Sequence, residues 1–472
     1  MGFKDLREFI TGLDEAGELH RIKTEVDWNL ELSNIVRKVA EQRGPACLFE
    51  KVKDSKFPLF SGGLFGYNKV GIAVGTKPDL RSILQKLMEA CNKPIPPVTV
   101  DSGPCKENID TGDKIDLEIF PNPKWHHLDG GRFIGTMGVV FTKDPDTGLR
   151  NMAVYRHQLM GKDKIGLDIA GQHGGIHLQK YVARKQPMPF ATAIGVPPEL
   201  IIAGAIKAPY GADEVGIAGA IAGEPIQLVK CETIDLEVPA TAEMVFEGEI
   251  PPDNSLWELE GPFGEFPGHF GTLEARKKPT GYLKAVTYRD DPIEAACSPG
   301  IPPNESSTIR ELGQTIGTWQ TLLKSGIPGI KEVYASEMSC GFRVVVSVDR
   351  QFYLGNARQI IFSVFQFGYL AKWVIVVDDD IDIYDSGQLE WAMSVRVQPH
   401  RDIIITDDRV RGNAIDPSVH PDNKKSQLVG QTSKIGIDAT LGFKGFEFPP
   451  MVLPTEEEKK LVEKRWQEYG FR

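Results

Sequence analysis

Residues 258–270 read "ELEGPFGEFPGHF" and hold Glu260 and Glu265 five apart around a Gly-Pro-Phe-Gly turn, with Glu258 just ahead. Two carboxylates aimed at one point can divide ionised and protonated roles, which is what general acid–base chemistry needs. In a solvated loop the same residues would do nothing. "NMAVYRHQ" places Asn151 and Arg156 on a strand-like run. Side chains alternate along a strand, so a spacing of five faces them oppositely. For both to serve one site, Asn151 must sit at the strand's edge or a bulge must intervene. "GQHGGIHL" sets His173 after Gln172 in a Gly-rich loop where backbone can approach a ligand, and His177 follows with a weaker claim. Glu214 opens a small-residue helix in "YGADEVGIAGA", where the helix dipole alone would account for it. "VIVVDDDIDIYD" is the densest acidic run; it reads as acids capping the turn after a buried strand, with metal binding at the strand's end as the other option.

The chain shows no P-loop, no G-x-G-x-x-G after a strand, no G-x-S-x-G and no H-E-x-x-H, so P-loop ATP hydrolysis, hydride transfer and serine hydrolysis lose ground. A net charge of −11 without a basic stripe argues against nucleic acid. No apolar run approaches the roughly 20 residues of a membrane span, and the acidic N-terminal stretch does not read as a secretory signal. Six widely spaced cysteines without Cys-x-x-Cys read as reduced, and the expected compartment is the cytoplasm.

At 472 residues, two or three domains must position these groups. Leu6, Phe9, Ile10 and Leu13, then Leu32, Ile35, Val36 and Val39, make the stripes of two amphipathic helices, and "RSILQKLMEACN" predicts a third. Residues 1–110 thus form a small α/β unit. Residues 111–303 read as a β-rich domain: a hairpin around "DPDTG", the strands "FATAIG" and "IQLVKC" bracketing two short helices, and a strand pair in "YLKAVTYRDDPIEAAC". Residues 304–326 predict a linking helix, capped by Asn304 unless that side chain meets substrate. Residues 327–472 alternate "IKEVYASE", "FRVVVSVD", "WVIVVDDD" and "RDIIITDD" with helical segments, an α/β domain. The tail opens with the capping box Thr455–Glu458, and Leu461, Val462, Trp466 and Tyr469 give its helix an apolar side for docking.

Taken together, "NMAVYR", "QHGG", "GADE", "LEGPFGE" and "WVIVVDDDID", in this order and across nearly the whole chain, resemble the UbiD-type reversible decarboxylases. The resemblance implies an α/β (α+β) UbiD-like fold whose middle domain is a split β-barrel binding prenylated FMN. It implies non-oxidative decarboxylation of an aromatic, heteroaromatic or α,β-unsaturated acid through a covalent cofactor adduct, reversible with CO2. Arg156, Glu260 and Glu265 become the catalytic set, with Glu265 as proton donor, Glu260 supporting Arg156, and Arg156 able to grip the substrate carboxylate by two prongs. Asn151, His173 and Glu214 become ligands of Mn2+ or Mg2+, an oxygen- and nitrogen-rich set that suits such ions, with K+ beside them. Cofactor contacts would come from residues 151–156 (Asn151, Met152, Ala153, Val154, Tyr155, Arg156), Gln172, His173, Glu214 and, by position, Lys372. Phe266 would pack on the substrate, and Glu258 would be solvated. The resemblance further implies a flavin prenyltransferase as cofactor supplier and a homodimer or homohexamer. Two alternatives remain at this point: an accessory subunit of a larger carboxylase, and a phosphoryl-transfer enzyme built on "DDDID".

Overall fold

A computed structural model of the chain describes residues 2–169, 173–349, 351–368, 370–420 and 430–471. The N-terminal unit packs its helices on a four-stranded sheet ordered Leu19–Ile22, Ala46–Phe49, Leu59–Ser61 and Glu294–Ala295. The helix Leu6–Glu15 starts where Asp5 accepts the Glu8 N–H, and it buries Leu6, Phe9, Ile10 and Leu13 as the 3.6-residue stripe requires. Among the described residues, helices beyond those expected include Tyr67–Val74, the short Pro399–Asp402, and His173–Ala183, which replaces the predicted Gly-rich loop. "YLKAVTYRDDPIEAAC" does form two strands, but they do not pair. Thr280–Tyr288 enters the central sheet, whereas Glu294–Ala295 runs parallel to Leu59–Phe60 and completes the N-terminal sheet. The chain segment leading into the linking helix is thereby tied to the N-terminal unit.

The middle region is a nine-stranded antiparallel sheet. Its path runs Phe133–Ile134, His157–Leu159, Lys164–Leu167, Thr280–Tyr288, Met244–Ile250, Met188–Ile194, Val139–Lys143 and Arg150–Val154, with Asn108–Thr111 paired to Thr280–Tyr288. The predicted hairpin is present between Val139–Lys143 and Arg150–Val154. After Val154 the ladder stops for Tyr155 and Arg156, then resumes in His157–Leu159 against different neighbours. Val139, Val140, Phe141, Phe190, Val245 and Phe246 are all fully buried, and since neighbours along a strand face opposite ways, both sides of the sheet are covered.

The linking helix spans Glu305–Lys324, and Asn304 is its N-cap: its side chain accepts the Ser307 N–H while Ser307 closes the capping box. Beyond it, Ile330–Tyr334, Arg343–Val348, Trp373–Asp378, Ile435–Asp438 and Ile403–Ile405 form a five-stranded sheet in that order. The strand Ile435–Asp438 was not expected, and it lies between Trp373–Asp378 and Ile403–Ile405. The acids after Trp373–Asp378 are structural: Asp378 accepts the Leu441 N–H, Asp380 takes both Arg396 nitrogens, and Asp382 binds Arg81. The tail helix Glu456–Lys464 has its capping box, but Leu461, Val462, Trp466 and Tyr469 are exposed.

Candidate active site

The interrupted strand resolves the spacing problem. Asn151 lies within Arg150–Val154 and is 4% exposed, while Arg156 lies in the two-residue gap, released from strand alternation. The run from Asn151 to Tyr155 lines a cavity of about 660 Å³, with His173 and Glu214 on its wall. Arg156 lines an adjoining cavity of about 410 Å³ with Glu260, Glu265 and Phe266. Val154, Tyr155, Thr136, Cys297, Ser306 and Arg310 border both cavities.

Arg156 is the hub of the second cavity. Its Nε donates to Glu260 Oε1 at 2.8 Å and its Nη2 to Glu260 Oε2 at 3.0 Å, a two-pronged hold on a buried carboxylate. Its Nη1 meets Glu265, whose side chain is 13% exposed. A third acid, Asp168, stands 3.2 Å from Nη2 and also pairs with Lys278. Burial alone would lower the arginine's pKa, yet Asp168, Glu265 and Glu260 hold it well above its ordinary value. Burial pushes the Glu265 carboxyl up and Arg156 pulls it down; repulsion from Asp168 and Glu260 leaves it above the usual range. Asp168 goes the other way, since Arg156 and Lys278 outweigh its burial and keep it ionised. One acid tends to hold a proton beside one that does not, the pattern of divided roles.

The Glu265 turn is held by close approach. The Glu265 N–H donates to the His269 carbonyl at 3.0 Å and the Gly268 N–H to the Glu265 carbonyl at 2.9 Å. Gly268 sits at φ +83°, and a Cβ there would lie 2.2 Å from Ile301, so only glycine fits against the segment before the linking helix. The Gly264 N–H donates to buried Asp129, which also binds the His126 N–H. Glu258 points elsewhere, pairing with Lys164 at the surface.

In the larger cavity Glu214 is the first residue of Glu214–Ala222, buried, and accepts the Met152 N–H at 3.2 Å. His173 Nδ1 stands 3.8 Å from Glu214 Oε1, close enough for one ion to bridge them. Buried Asn151 Nδ2 has no hydrogen-bond partner among the described residues, a polar end on the cavity wall that a bound group would satisfy. No cluster of three or more His, Cys, Asp or Glu side chains that could hold a metal occurs among the described residues, so the set that the resemblance implies counts three members only with the Asn151 amide. These residues fit a hard cation beside a phosphate. The resemblance makes Glu214 a metal ligand, and on that expectation Glu214→Gln weakens Mn2+ binding 10-fold or more, read by metal content after dialysis; unchanged content would remove Glu214 from the ligand set.

Two expected contacts do not form. Lys372 reaches neither cavity: its Nζ is held by Asp416 at 2.9 Å and Ser418 at 2.7 Å. A two-pronged grip of Arg156 on substrate finds both edges taken, Nε–Nη2 by Glu260 and Nη1–Nη2 by Glu265 and Asp168. Gln172 lies outside the described residues. His177 is buried in His173–Ala183 and bonded to Thr142, a structural role. Sequence reasoning missed Asp168, Lys278, Arg310 and Lys207. Lys207 borders the larger cavity, and loss of hydration, then repulsion from Arg310, brings its ammonium down to about 7.

Comparison with known proteins matches this architecture over most of its length. Residues 10–90 match the 3-octaprenyl-4-hydroxybenzoate carboxy-lyase N-terminal domain, 97–302 the Rift-related domain and 307–439 the C-terminal domain. The chain therefore belongs to the UbiD family of carboxy-lyases and is a decarboxylase-class enzyme. It is 31% identical to the pyrrole-2-carboxylic acid decarboxylase of Pseudomonas aeruginosa, covering 99% of this chain and 98% of that one. The UbiD-class enzyme HmfF of Pelotomaculum thermopropionicum, solved with FMN, is 33% identical over 97% of this chain and 99% of its own, with a TM-score of 0.82. An evolved dimeric form of HmfF is solved with prFMN. The vanillic acid decarboxylase of Sedimentibacter hydroxybenzoicus is 29% identical in its closed form, with full coverage of both chains and a TM-score of 0.91; its open forms give 0.85 and 0.84.

Proposed function

We propose that the protein catalyses reversible, non-oxidative decarboxylation of an aromatic, heteroaromatic or α,β-unsaturated carboxylic acid, with prenylated FMN as cofactor and Glu265 as proton donor. The observation that carries this reading is the raised Glu265 carboxyl on an arginine that Glu260 and Asp168 keep charged, beside a cavity of cofactor size. Residues 151–155 would line the cofactor, and Asn151, His173 and Glu214 would hold Mn2+ or Mg2+ against its phosphate, with K+ nearby. When bound, prenylated FMN supplies an electron-accepting ring for the electron pair that departing CO2 leaves behind.

The protein's own groups do the rest. Glu260 fixes the Nε edge of Arg156, so the arginine presents only its Nη1 side to the cavity. A substrate carboxylate arriving there competes with Glu265 for Nη1, and its negative charge favours protonation of the displaced acid. Loss of neutral CO2 leaves its electron pair and the negative charge behind, and Glu265 then delivers its proton to the carbon that carried the carboxylate, where the pair forms the new C–H bond. In reverse, ionised Glu265 takes the proton and Arg156 receives the new carboxylate.

The partners follow from this reading: a small carboxylic acid, CO2 and a flavin prenyltransferase that supplies the cofactor. No helix among the described residues is long and apolar enough to cross a membrane, and all six cysteines are free, which supports a cytoplasmic setting. The exposed apolar side of the tail supports a homodimer or homohexamer, which the mass in solution tests. Co-expression with a flavin prenyltransferase should yield protein whose bound flavin has the mass and spectrum of the prenylated form, and which releases CO2 from pyrrole-2-carboxylate or a related aromatic acid. Active protein carrying no modified flavin would sink the proposal.

A further inference from the structure

The residue after the acid is gripped from two other parts of the chain. Phe266 is 6% exposed, and the Arg310 guanidinium carbon lies 3.5 Å from its ring centroid. Phe342 stacks on the same ring at 6.3 Å and 24°, and Lys372 Nζ stands 5.5 Å from the Phe342 centroid. Arg310 belongs to the linking helix, Phe266 to the acid turn, and Phe342 and Lys372 to the C-terminal domain. The far end of this column is rigid. The Phe342 carbonyl accepts the Lys372 and Trp373 N–H groups at 2.7 and 2.9 Å, where the strand Trp373–Asp378 begins. The near end is rigid too, because the turn bonds at Glu265 and Gly268 move Phe266 and Glu265 together. Cation–π and stacked-ring contacts strengthen when desolvated, as this ring is.

We propose that the Arg310–Phe266–Phe342 column positions the Glu265 carboxyl, so that the acid stands in place only while the C-terminal domain is seated against it. The inference rests on Glu265 being the donor proposed above. Arg310 is then a positioning residue. The largest charges acting on the Glu265 carboxyl are Arg156, Asp168 and Glu260, and the role assigned to Arg310 is to hold the acid's place. The higher overlay on the closed than on the open forms of vanillic acid decarboxylase agrees with a seated C-terminal domain (TM-scores 0.91 against 0.85 and 0.84).

The test uses the flavin-loaded enzyme with Arg310→Met, Arg310→Lys and Phe342→Leu, and pyrrole-2-carboxylate as substrate probe. Arg310→Met and Phe342→Leu should lower kcat 10-fold or more with KM within 2-fold, unchanged flavin content and an unshifted pH profile, and Arg310→Lys should recover most of the loss. Hydrogen exchange, which needs no substrate, should speed up in residues 261–271 of the Met and Leu variants and stay near wild type in the Lys variant. Unchanged exchange in that segment, or a kcat loss matching lost flavin, would overturn the inference. A wild-type enzyme silent on the probe counts against the proposed substrate class, and the exchange result still decides the column.

Discussion

Glu265→Gln is expected to keep the bound flavin and to lower turnover by about 10²–10⁴-fold, the usual worth of a placed general acid. Gln keeps the shape and can still meet Arg156, but it has no proton to give. In the wild type the sign of the pH dependence follows from the raised pKa: Glu265 must be protonated to donate, so kcat falls as pH rises through that value. The descending limb should vanish in the residual rate of the Gln variant. Measuring kcat and flavin absorbance across pH checks both, and a variant with full turnover would move the acid elsewhere.

Arg156→Met should cost more than activity. It leaves Glu260, Glu265 and Asp168 facing one another without the cation that each contacts. Removing one partner of a buried ionic cluster costs about 3–5 kcal/mol, because the remaining charges stay desolvated. The deficit has a pH signature. Without the arginine the Glu265 carboxyl loses the cation that pulls its pKa down and stands further above its unfolded value, so the destabilisation grows as pH rises and shrinks on acidification. Urea unfolding at neutral and mildly acid pH measures it, and a deficit that grew on acidification would contradict this account. Turnover should be lost at every pH.

Glu260, Glu265 and Arg156, which meet in one cluster, and Asn151, His173 and Glu214, which share one cavity wall, were legible only through several motifs taken in order, because each stretch alone has an ordinary reading such as a solvated loop or a helix dipole. Helices with a clear stripe, such as Leu6–Glu15, were legible from the local pattern alone. Tyr67–Val74 was not, since "YNKVGIAV" buries several sides and shows no polar–apolar contrast. His173–Ala183 was hidden by Gly174 and Gly175, which read as loop. A Cβ on Gly174 would lie 2.8 Å from the Tyr155 hydroxyl, so that glycine answers a packing need invisible along the chain. Asp168 is a single acid in "GLDIAG", and its meaning comes from Lys278, 110 residues away. The strand Ile435–Asp438 likewise takes its place by long-range pairing, which no local pattern encodes.

The change of partners after Val154 has a mechanical meaning. Asn151 and Arg156 ride on one short piece of backbone, fixed on one side by Val139–Lys143 and on the other by Lys164–Leu167. That piece spans both cavities: with its two ends held in the sheet, the spacing between the amide on the wall of the larger cavity and the arginine in the smaller one is set by the chain itself.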